Sequence, residues 1–313
     1  IDVNMARLAH VATASARART SATVGAPLAA GTVTDRNGAW FSGIGGTMRL
    51  SGREGDPAAR MEDRGFAAGY DLAIGQHLVV GASGGDSRPE LDLEAMSDRT
   101  SSRMRNFGLY GRYARGASRL SLLGGVSTVE NTTFRTVTDG VSTAAAHAAY
   151  DAQSIFSRIE YGHAIGFRGN VTLEPQAGFQ YARLSMDGLA EEGAGVLSLI
   201  APERRTVSKR STFGGRVVKS FGASPDTGTR VEIRGAWAHE FDGLSTTRMR
   251  FAGDTASNPF DLSSPSQTRN SALVGGTFLA APFKRVQIEA NVDGNVGGAV
   301  RTWTAGIGIR AQW

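Results

Sequence analysis

The sequence predicts an all-β protein, a twelve-stranded antiparallel up-and-down transmembrane β-barrel preceded by an N-terminal α-helix. From Ala39 to Trp313, apolar residues alternate with small or polar ones, and a period of two gives each strand two unlike faces. Short and long connections between these segments also alternate, as in barrels that cross a membrane. Glycine is abundant at 41 residues. No apolar run approaches the roughly 18 residues of a transmembrane helix.

Composition excludes several other classes of protein. The net charge is +5 with a pI near 9.9, but the arginines are spread along the chain, which argues against a nucleic-acid partner. Zero cysteines exclude a disulfide framework and cysteine-rich metal sites. No basic segment followed by an apolar one opens the chain, so we expect any export signal upstream of Ile1.

The first thirty residues have a helical rather than a strand pattern. "DVNMARLAHVATASARART" is rich in alanine, arginine and leucine, which are good helix formers. Its apolar residues share one helical face: Met5, Leu8, Ala9 and Ala12. "GAPLAAG" then breaks the helix. We therefore expect a helix and linker over residues 1–30, with Arg7, Arg17 and Arg19 on its surface, and a barrel over residues 31–313.

Twelve segments carry the period-two pattern in chain order. They cover residues 39–50, 64–74, 77–86, 101–115, 118–134, 151–165, 171–181, 207–221, 231–241, 267–281, 286–293 and 302–313. A tilted strand needs roughly 9–11 residues to cross a membrane, and these segments have about that length. An even number of strands places both ends of the barrel sequence on the same side of the membrane.

The connections fall into two groups by length. The short ones lie near Gly75, Gly116, Gly166, Ser224 and Pro282. The long polar ones cover residues 51–63, 87–100, 135–150, 187–206 and 243–266. This alternation is typical of periplasmic turns and extracellular loops, and a soluble β-sandwich has no reason to sort its loops in this way.

Strand parity assigns a set of charged side chains to the barrel interior. They are Asp71, Arg112, Arg158, Glu160, Glu174, Arg216, Arg234, Glu289 and Arg310. Structurally they need only satisfy one another and water; functionally, they could grip the arginines of the helix or exclude the wrong ions. Small inward residues, including Gly69, Gly81 and Gly125, are expected to leave room for about one helix in a barrel of this size.

Large aromatic residues lie near the ends of the predicted strands. Trp40, Trp237, Phe241, Trp303 and Trp313 are therefore expected in the aromatic girdles at the membrane interfaces. In a closed barrel the last strand pairs with the first, so no strand edge is exposed. This explains why the chain can end on a tryptophan, because Trp313 would lie at the lipid interface rather than in water.

Two motifs that suggest chemistry are better explained by structure. "GASGG", residues 81–85, matches the G-x-S-x-G hydrolase motif, which needs a strand-to-helix turn after the serine. Here a period-two strand and a polar loop surround Ser83, so we expect a lumen-facing strand residue. The five histidines have neither HExxH nor paired spacing, and the sequence predicts no metal site and no cofactor.

Several stretches together resemble the translocator (β) domain of classical type V autotransporters of Gram-negative outer membranes. They are "RGFAAGYDLAIGQHLVVGASGGDS", "LYGRYARGASRLSLLGGVS", "LEPQAGFQYARL", "AWAHEF" and the terminal "AGIGIRAQW". No one stretch is specific, but their order is. The resemblance implies a twelve-stranded barrel with a helix threading its pore and a secreted passenger domain upstream of Ile1. Its implied location is the cell outer membrane, with the passenger at the cell surface.

The resemblance also implies partners and one reaction. The partners are outer-membrane lipid and lipopolysaccharide, the passenger, and the barrel assembly machinery, which reads an aromatic-ended last strand; here Trp303, Ile309 and Trp313 would supply that signal. The chain would be a monomer without enzymatic turnover. Some autotransporters cut themselves once in the pore, often at a Val-Asn-Asn run. This chain has Val3 and Asn4 followed by Met5, so Asn4 is either a cleavage site or a helix cap.

Two other functions remain open from the sequence. The chain could be a general outer-membrane pore, with the N-terminal helix as a plug or outside the barrel. It could also be an outer-membrane hydrolase whose site lies at the barrel rim. Only an autotransporter would carry a large passenger before residue 1.

Overall fold

The computed structural model describes residues 37–51, 58–93, 98–138, 143–224, 227–242, 246–254, 259–263, 269–298 and 300–313. These residues form an all-β structure dominated by long strands. The strands of the barrel, numbered in chain order, are β1 Gly38–Leu50, β2 Ala59–Ile74, β3 Leu78–Ser87, β4 Arg99–Arg115, β5 Ser118–Thr138, β6 Thr143–His163, β7 Val171–Met186, β8 Arg204–Ser224, β9 Thr227–Glu240, β10 Asn270–Phe283, β11 Val286–Gly297 and β12 Val300–Gln312.

The sheet closes on itself. Each strand pairs antiparallel with the next one in sequence, and β1 pairs with both β2 and β12. Gly38 lies opposite Gln312 on one side and Asp71 on the other, so both ends of the barrel sequence lie at the same end of the barrel. The predicted twelve-stranded barrel is therefore confirmed, and closure leaves none of these strands as an exposed edge.

The two ends of the barrel differ in their connections. At one end, the turn end, the joins are short, and Gly75 and Gly116 adopt positive φ angles of 62° and 59° that favour glycine. At the other end, the loop end, most joins are long. The predicted alternation fails twice at the loop end, because β5 and β6 are joined through residues 139–142 alone and β11 and β12 through residues 298–299 alone.

The strands extend further at the loop end than the sequence pattern indicated. The segment 135–150, predicted to be a long loop, instead extends β5 to Thr138 and begins β6 at Thr143. Over residues 144–149 the pattern was hidden because alanine occupies both faces of the strand. Ala146 and Ala148 are nevertheless buried, while His147 between them is exposed.

The outward face has an apolar band and a polar margin. Exposed apolar side chains cover the middle of the barrel, among them Phe41, Phe66, Leu109, Ile155, Phe213, Ile233, Phe278 and Ile307. Towards the loop end, charged and polar residues become frequent on the outward faces of β4 and β5, and Arg105 Nη1 lies 3.2 Å from Glu130 Oε1. The strands therefore project beyond the apolar band at the loop end.

Shorter elements cover the loop end. Glu90–Leu93 pairs with β2 and β4. Leu189–Ala190, Leu199–Ala201, Thr246–Phe251 and Phe260–Ser263 form a separate four-stranded sheet. Ile165–Phe167 instead pairs with β7 near the turn end. The 3₁₀ turn Gly195–Leu197 is the one helical element of the described residues, among which no helix is long and apolar enough to span a membrane.

Candidate functional site

Arg216 is the centre of an ion-pair network on the inner wall of the barrel. Its side chain on β8 is buried and reaches acids on both neighbouring strands. Nη2 donates to Glu174 Oε2 of β7 at 2.9 Å, and Nη1 donates to Glu232 Oε2 of β9 at 2.8 Å. Antiparallel register explains this meeting, because Glu174 and Arg234 lie directly opposite Arg216 on its two neighbours.

The network continues in both directions around the wall. On one side, Glu174 accepts a hydrogen bond from Arg119, whose Nη2 also lies 3.9 Å from Glu160 Oε1. Glu160 in turn accepts from Arg158. On the other side, Arg234 Nη1 donates to Glu232 Oε1 at 3.2 Å and its Nε donates to Asp293 Oδ1 at 2.8 Å. We call these eight residues the lumen network: Arg119, Arg158, Glu160, Glu174, Arg216, Glu232, Arg234 and Asp293.

The lumen network contains four arginines and four acids, so its formal charges balance. Buried charges are tolerated when they are paired and hydrogen-bonded. The inward charges predicted from strand parity did not include Arg119, Glu232 or Asp293, although these residues share the same strand faces. Glu160 and Glu174 are held by wall arginines, and an occupant of the pore would meet them already paired.

A second polar cluster lies where β12, β1 and β2 meet. Asp71 Oδ2 is 2.9 Å from Arg310 Nη1, and Asp71 Oδ1 accepts a hydrogen bond from Tyr110. Trp40 Nε1 donates to the same Tyr110 hydroxyl at 2.8 Å. Trp40 is therefore buried inside the barrel, and its predicted place in an outer aromatic girdle is wrong. Its position directly opposite Arg310 gives it the inward parity.

Inward glycines accommodate these large rings. A Cβ at Gly69 would lie 2.5 Å from the Trp40 ring, and one at Gly81 would lie 2.3 Å from the Tyr110 ring. Without side chains there, the rings can lie against the wall. The expectation that these two glycines leave free space for a helix is therefore wrong, because aromatic side chains fill that space.

The remaining sequence-predicted residues are placed as follows. Arg112 and Glu289 are partly buried on inward strand faces, outside the lumen network. A cavity of about 170 Å³ adjoins the network, lined by residues of β6 to β12 that include Gln180, Thr212 and Asn295. The predicted helix, with Asn4, Arg7, Arg17 and Arg19, lies outside the described residues, as do residues 31–36 of the predicted barrel domain.

Apolar side chains fill the loop end of the lumen. This loop-end cap joins inward residues of β1, β2, β4, β5, β6 and β7 to residues of the covering strands: Met48, Ala59, Met61, Leu91, Leu93, Met104, Val129, Ala148, Tyr150, Ala152, Leu184, Met186, Leu189, Leu199, Ala201 and Met249. Five of the chain's seven methionines belong to it. Sequence reasoning missed the cap because single inward methionines in separate strands carry no local signal.

A buried ion pair anchors the covering segment to β5. Arg135 Nε donates to Glu191 Oε1 at 3.0 Å, and Arg135 Nη2 donates to the Leu197 carbonyl at 3.1 Å. Asp98 lies close by, where its Oδ1 accepts from the Thr136 amide at 2.9 Å. Burial raises the pKa of Asp98 above its usual 3.8. These contacts fix the loop 187–203 over the end of the barrel.

The last strand presents an apolar outer face. Trp303, Ile309 and Trp313 are 45%, 51% and 55% exposed, so all three point away from the lumen. The Trp313 ring lies 5.9 Å from that of Tyr70 on β2, and its amide donates to the Asn37 carbonyl at 3.1 Å. The terminal tryptophan therefore spans the seam where the barrel closes.

Among the described residues, the G-x-S-x-G match and the histidines do not form a catalytic or metal site. Ser83 lies within β3, which continues to Ser87, so it lacks the strand-to-helix turn of a hydrolase elbow. His239 packs against Trp237 and Phe241 on the outer face. Among the described residues, no group of three or more histidine or acidic side chains could hold a metal ion.

Comparison with known proteins gives a family and a fold. The sequence profile of the family described as "Autotransporter beta-domain" matches residues 39–293. No curated protein matches the chain.

Solved structures share its architecture. The translocator domain of the autotransporter NalP from Neisseria meningitidis superposes with a TM-score of 0.80 at 12% identity, covering 99% of this chain and 100% of that one. The β domain of the Bordetella autotransporter BrkA has a TM-score of 0.64 at 16% identity, covering 89% and 100%. The transport unit of AIDA-I from Escherichia coli has a TM-score of 0.55 at 13% identity, covering 94% and 97%.

Proposed function

Because the chain belongs to the autotransporter β-domain family, its barrel is an outer-membrane translocator, and we propose that its lumen carries an upstream passenger to the cell surface. The turn end then faces the periplasm and the loop end faces the outside. One observation supports the route most directly. Strand β1 begins at Gly38 at the turn end, so a chain preceding it enters the barrel from the periplasmic side. Such a chain reaches the outside only through the lumen.

The second part of the proposal is that residues 1–30 remain in the lumen as a helix and plug it after export. A helix of about 20 residues is roughly 30 Å long, enough to cross the barrel. The lumen offers this segment a polar wall near the periplasm, where the lumen network lies. Because Glu160 and Glu174 are already paired with wall arginines, Arg7, Arg17 and Arg19 would gain their stabilisation from sharing those acids or from water.

The loop-end cap suits a passage that is used once and then closed. Methionine side chains are flexible and repack readily around different neighbours. An apolar cap built on Met48, Met104, Met186 and Met249 could therefore part around an extended chain and close afterwards. In this proposal, the cap and the helix together make the resting barrel a poor conductor of ions.

In this proposal the barrel does not turn over a substrate. A single self-cleavage that separates the passenger from the barrel is compatible with it. The family resemblance leaves Asn4 as either a helix cap or a cleavage site, because Met5 stands where the usual Val-Asn-Asn run has its second asparagine. If Asn4 is the cleavage site, the cut lies between Asn4 and Met5. A longer chain containing the passenger should then release a barrel fragment that begins at Met5, measurable by its intact mass. Asn4→Ala should abolish that fragment, whereas His10→Ala should leave it unchanged. An uncut chain with Asn4 in place would refute the cleavage.

Surface exposure of an upstream reporter tests the translocation proposal. A reporter domain fused before Ile1 should be digested by protease added to intact cells. Epitopes inserted near Gly116, at the turn end, and at residues 139–142, at the loop end, calibrate the assay because only the second should be accessible. A reporter that stays protected while the loop-end epitope is cut would favour the general-pore alternative.

A further inference from the structure

Three arginines face outward side by side across the closing seam of the barrel. Arg49 of β1 lies directly opposite Arg301 of β12 and directly opposite Arg60 of β2. All three side chains are exposed. They share the strand parity of Phe41 and Trp303, which also point towards lipid. We call Arg49, Arg60 and Arg301 the seam arginines.

Such an arrangement needs an anion, because like charges directly opposite each other destabilise a sheet. Among the residues that the structure describes, neither Arg49 nor Arg301 has an acidic side chain within ion-pair distance. Arg60 Nη2 lies 2.6 Å from Glu62 Oε1, and Arg64 Nη2 lies 3.5 Å from Glu62 Oε2. Among the described residues, Glu62 is thus the one carboxylate in ion-pair contact with these four arginines, while Asp92, directly opposite Arg60, lies 3.7 Å from Arg99 Nε.

The outward arginines of β4 do not show this imbalance. On β4, Arg103 Nε lies 3.0 Å from Asp86 Oδ2, and Arg105 Nη1 lies 3.2 Å from Glu130 Oε1. The seam between β12, β1 and β2 therefore carries an excess of positive charge that the paired arginines of β4 do not.

The seam arginines lie just above the apolar band, on the extracellular side. The outward face of β12 is apolar from Trp313 to Trp303. Ten residues at about 3.3 Å each, tilted by about 40°, span about 25 Å, which is the height of the lipid-facing band of such barrels. Arg301 is the next outward residue, so it lies at the level of the outer-leaflet head groups.

A shallow bed for acyl chains begins directly below Arg49. The next outward residues of β1 are Thr47, Gly45 and Gly43, and a Cβ at Gly43 would have open space within 4 Å. Larger side chains flank this strip, because Gly43 lies opposite Ile307 on β12 and Phe66 on β2. The arginines above and the apolar strip below them fit an amphiphilic molecule with an anionic head group and acyl chains.

We propose that the seam arginines, with Arg64, bind the phosphate groups of lipid A, the membrane anchor of lipopolysaccharide in the outer leaflet. The guanidinium fork donates two parallel hydrogen bonds to phosphate, and the row of arginines matches a head group that carries two phosphates. The acyl chains lie along the Thr47–Gly43 strip. Burying this lipid at the seam also links β12 to β1 and β2 from the outside.

Binding of defined lipids to the folded full chain tests the proposal. The probes are diphosphoryl lipid A, the same lipid A with both phosphates removed, and inorganic phosphate, each titrated into detergent-solubilised protein and followed by native mass spectrometry. The Arg49→Gln/Arg301→Gln variant should bind diphosphoryl lipid A about tenfold or more weakly than the parent chain, because it loses charge-assisted hydrogen bonds from two arginines. The matched control Arg103→Gln/Arg105→Gln, whose arginines are paired on the same outer surface, should bind like the parent chain.

Removing both phosphates should weaken binding to the parent chain as much as the double substitution does, and inorganic phosphate alone should bind far more weakly than lipid A. Heat-modifiable migration verifies folding, and the single variant Arg301→Gln provides the same comparison if the double variant does not fold. Equal binding of phosphorylated and phosphate-free lipid A would overturn the proposal. So would equal losses in the seam and control variants.

Discussion

At the scale of single residues, strand parity decides whether a side chain meets lipid or the lumen. Ile307 is 64% exposed on the outer face, near the middle of the apolar band between Trp303 and Trp313. Its cross-strand neighbours are Ala290 and Gly43. Asn291, next to Ala290, points inward, where its Nδ2 lies 3.4 Å from Asp293 Oδ2.

Substitutions by arginine at Ile307 and at Asn291 should therefore differ in their cost to the stability of the barrel. Ile307→Arg should lower the free energy of unfolding in lipid vesicles by about 2–4 kcal/mol, the cost of a cation near the bilayer midplane. Asn291→Arg should cost much less, because it enters a wet lumen beside Asp293. Equilibrium denaturation in vesicles measures both, and equal losses would contradict the assignment of faces.

Arg216 tests the lumen network at the same scale. Arg216→Met removes the cation between Glu174 and Glu232, two buried acids. We expect a loss of about 3 kcal/mol, at the low end for a broken buried pair, because each acid keeps another arginine. Arg105→Met should cost less than about 1 kcal/mol, since its pair with Glu130 is exposed. Denaturant unfolding of the two variants measures both losses of stability. Equal losses would refute the role of the lumen network.

At the scale of elements, the last strand closes the barrel through its terminal residue. The Trp313 ring packs on Tyr70, and the backbone amide of Trp313 donates a hydrogen bond to the Asn37 carbonyl. Together with Trp303 and Ile309 it also forms the outward face that we propose the assembly machinery reads. Both roles require an apolar aromatic side chain at this position.

Replacing Trp313 should therefore impair assembly rather than function of the assembled barrel. Trp313→Asp should sharply reduce the amount of heat-modifiable, folded barrel in the outer membrane, because a charge would lie at the lipid interface and the contact with Tyr70 would be lost. Trp313→Phe keeps an aromatic ring and should assemble nearly normally. Normal amounts of folded Trp313→Asp barrel would show that the residue serves neither role.

The elements also show which parts of the structure were readable from the sequence. Strands such as β11 and β12 could be predicted because lipid and lumen impose opposite polarity on their two faces, and register then brings Arg216 between Glu174 and Glu232. Two features could not be read in this way. The start of β6, residues 143–150, consists mostly of alanines, which fit either face, and the end of β5 places a charged residue, Arg135, on its buried face. Trp40 points inward because a glycine on the next strand, Gly69, accommodates its ring.

At the scale of the whole molecule, the barrel is polar inside towards the turn end and apolar inside towards the loop end. The lumen network occupies the first region and the loop-end cap the second. The cap depends on contacts between separate strands and loops, which a sequence pattern of period two cannot reveal. This division is what a conduit that threads a chain once, and then rests closed, would be expected to have.

The central claim is that residues 1–30 occupy the lumen of the assembled translocator. Single-channel conductance in planar bilayers tests it most directly, comparing the full chain with a chain that lacks residues 1–30. A chain lacking the loop residues 52–57 serves as the control for deletion itself, and heat-modifiable migration verifies that each barrel is folded. We predict a several-fold higher conductance for the chain without residues 1–30 and little change for the control. Equal conductance of the full chain and the chain without residues 1–30 would contradict the claim.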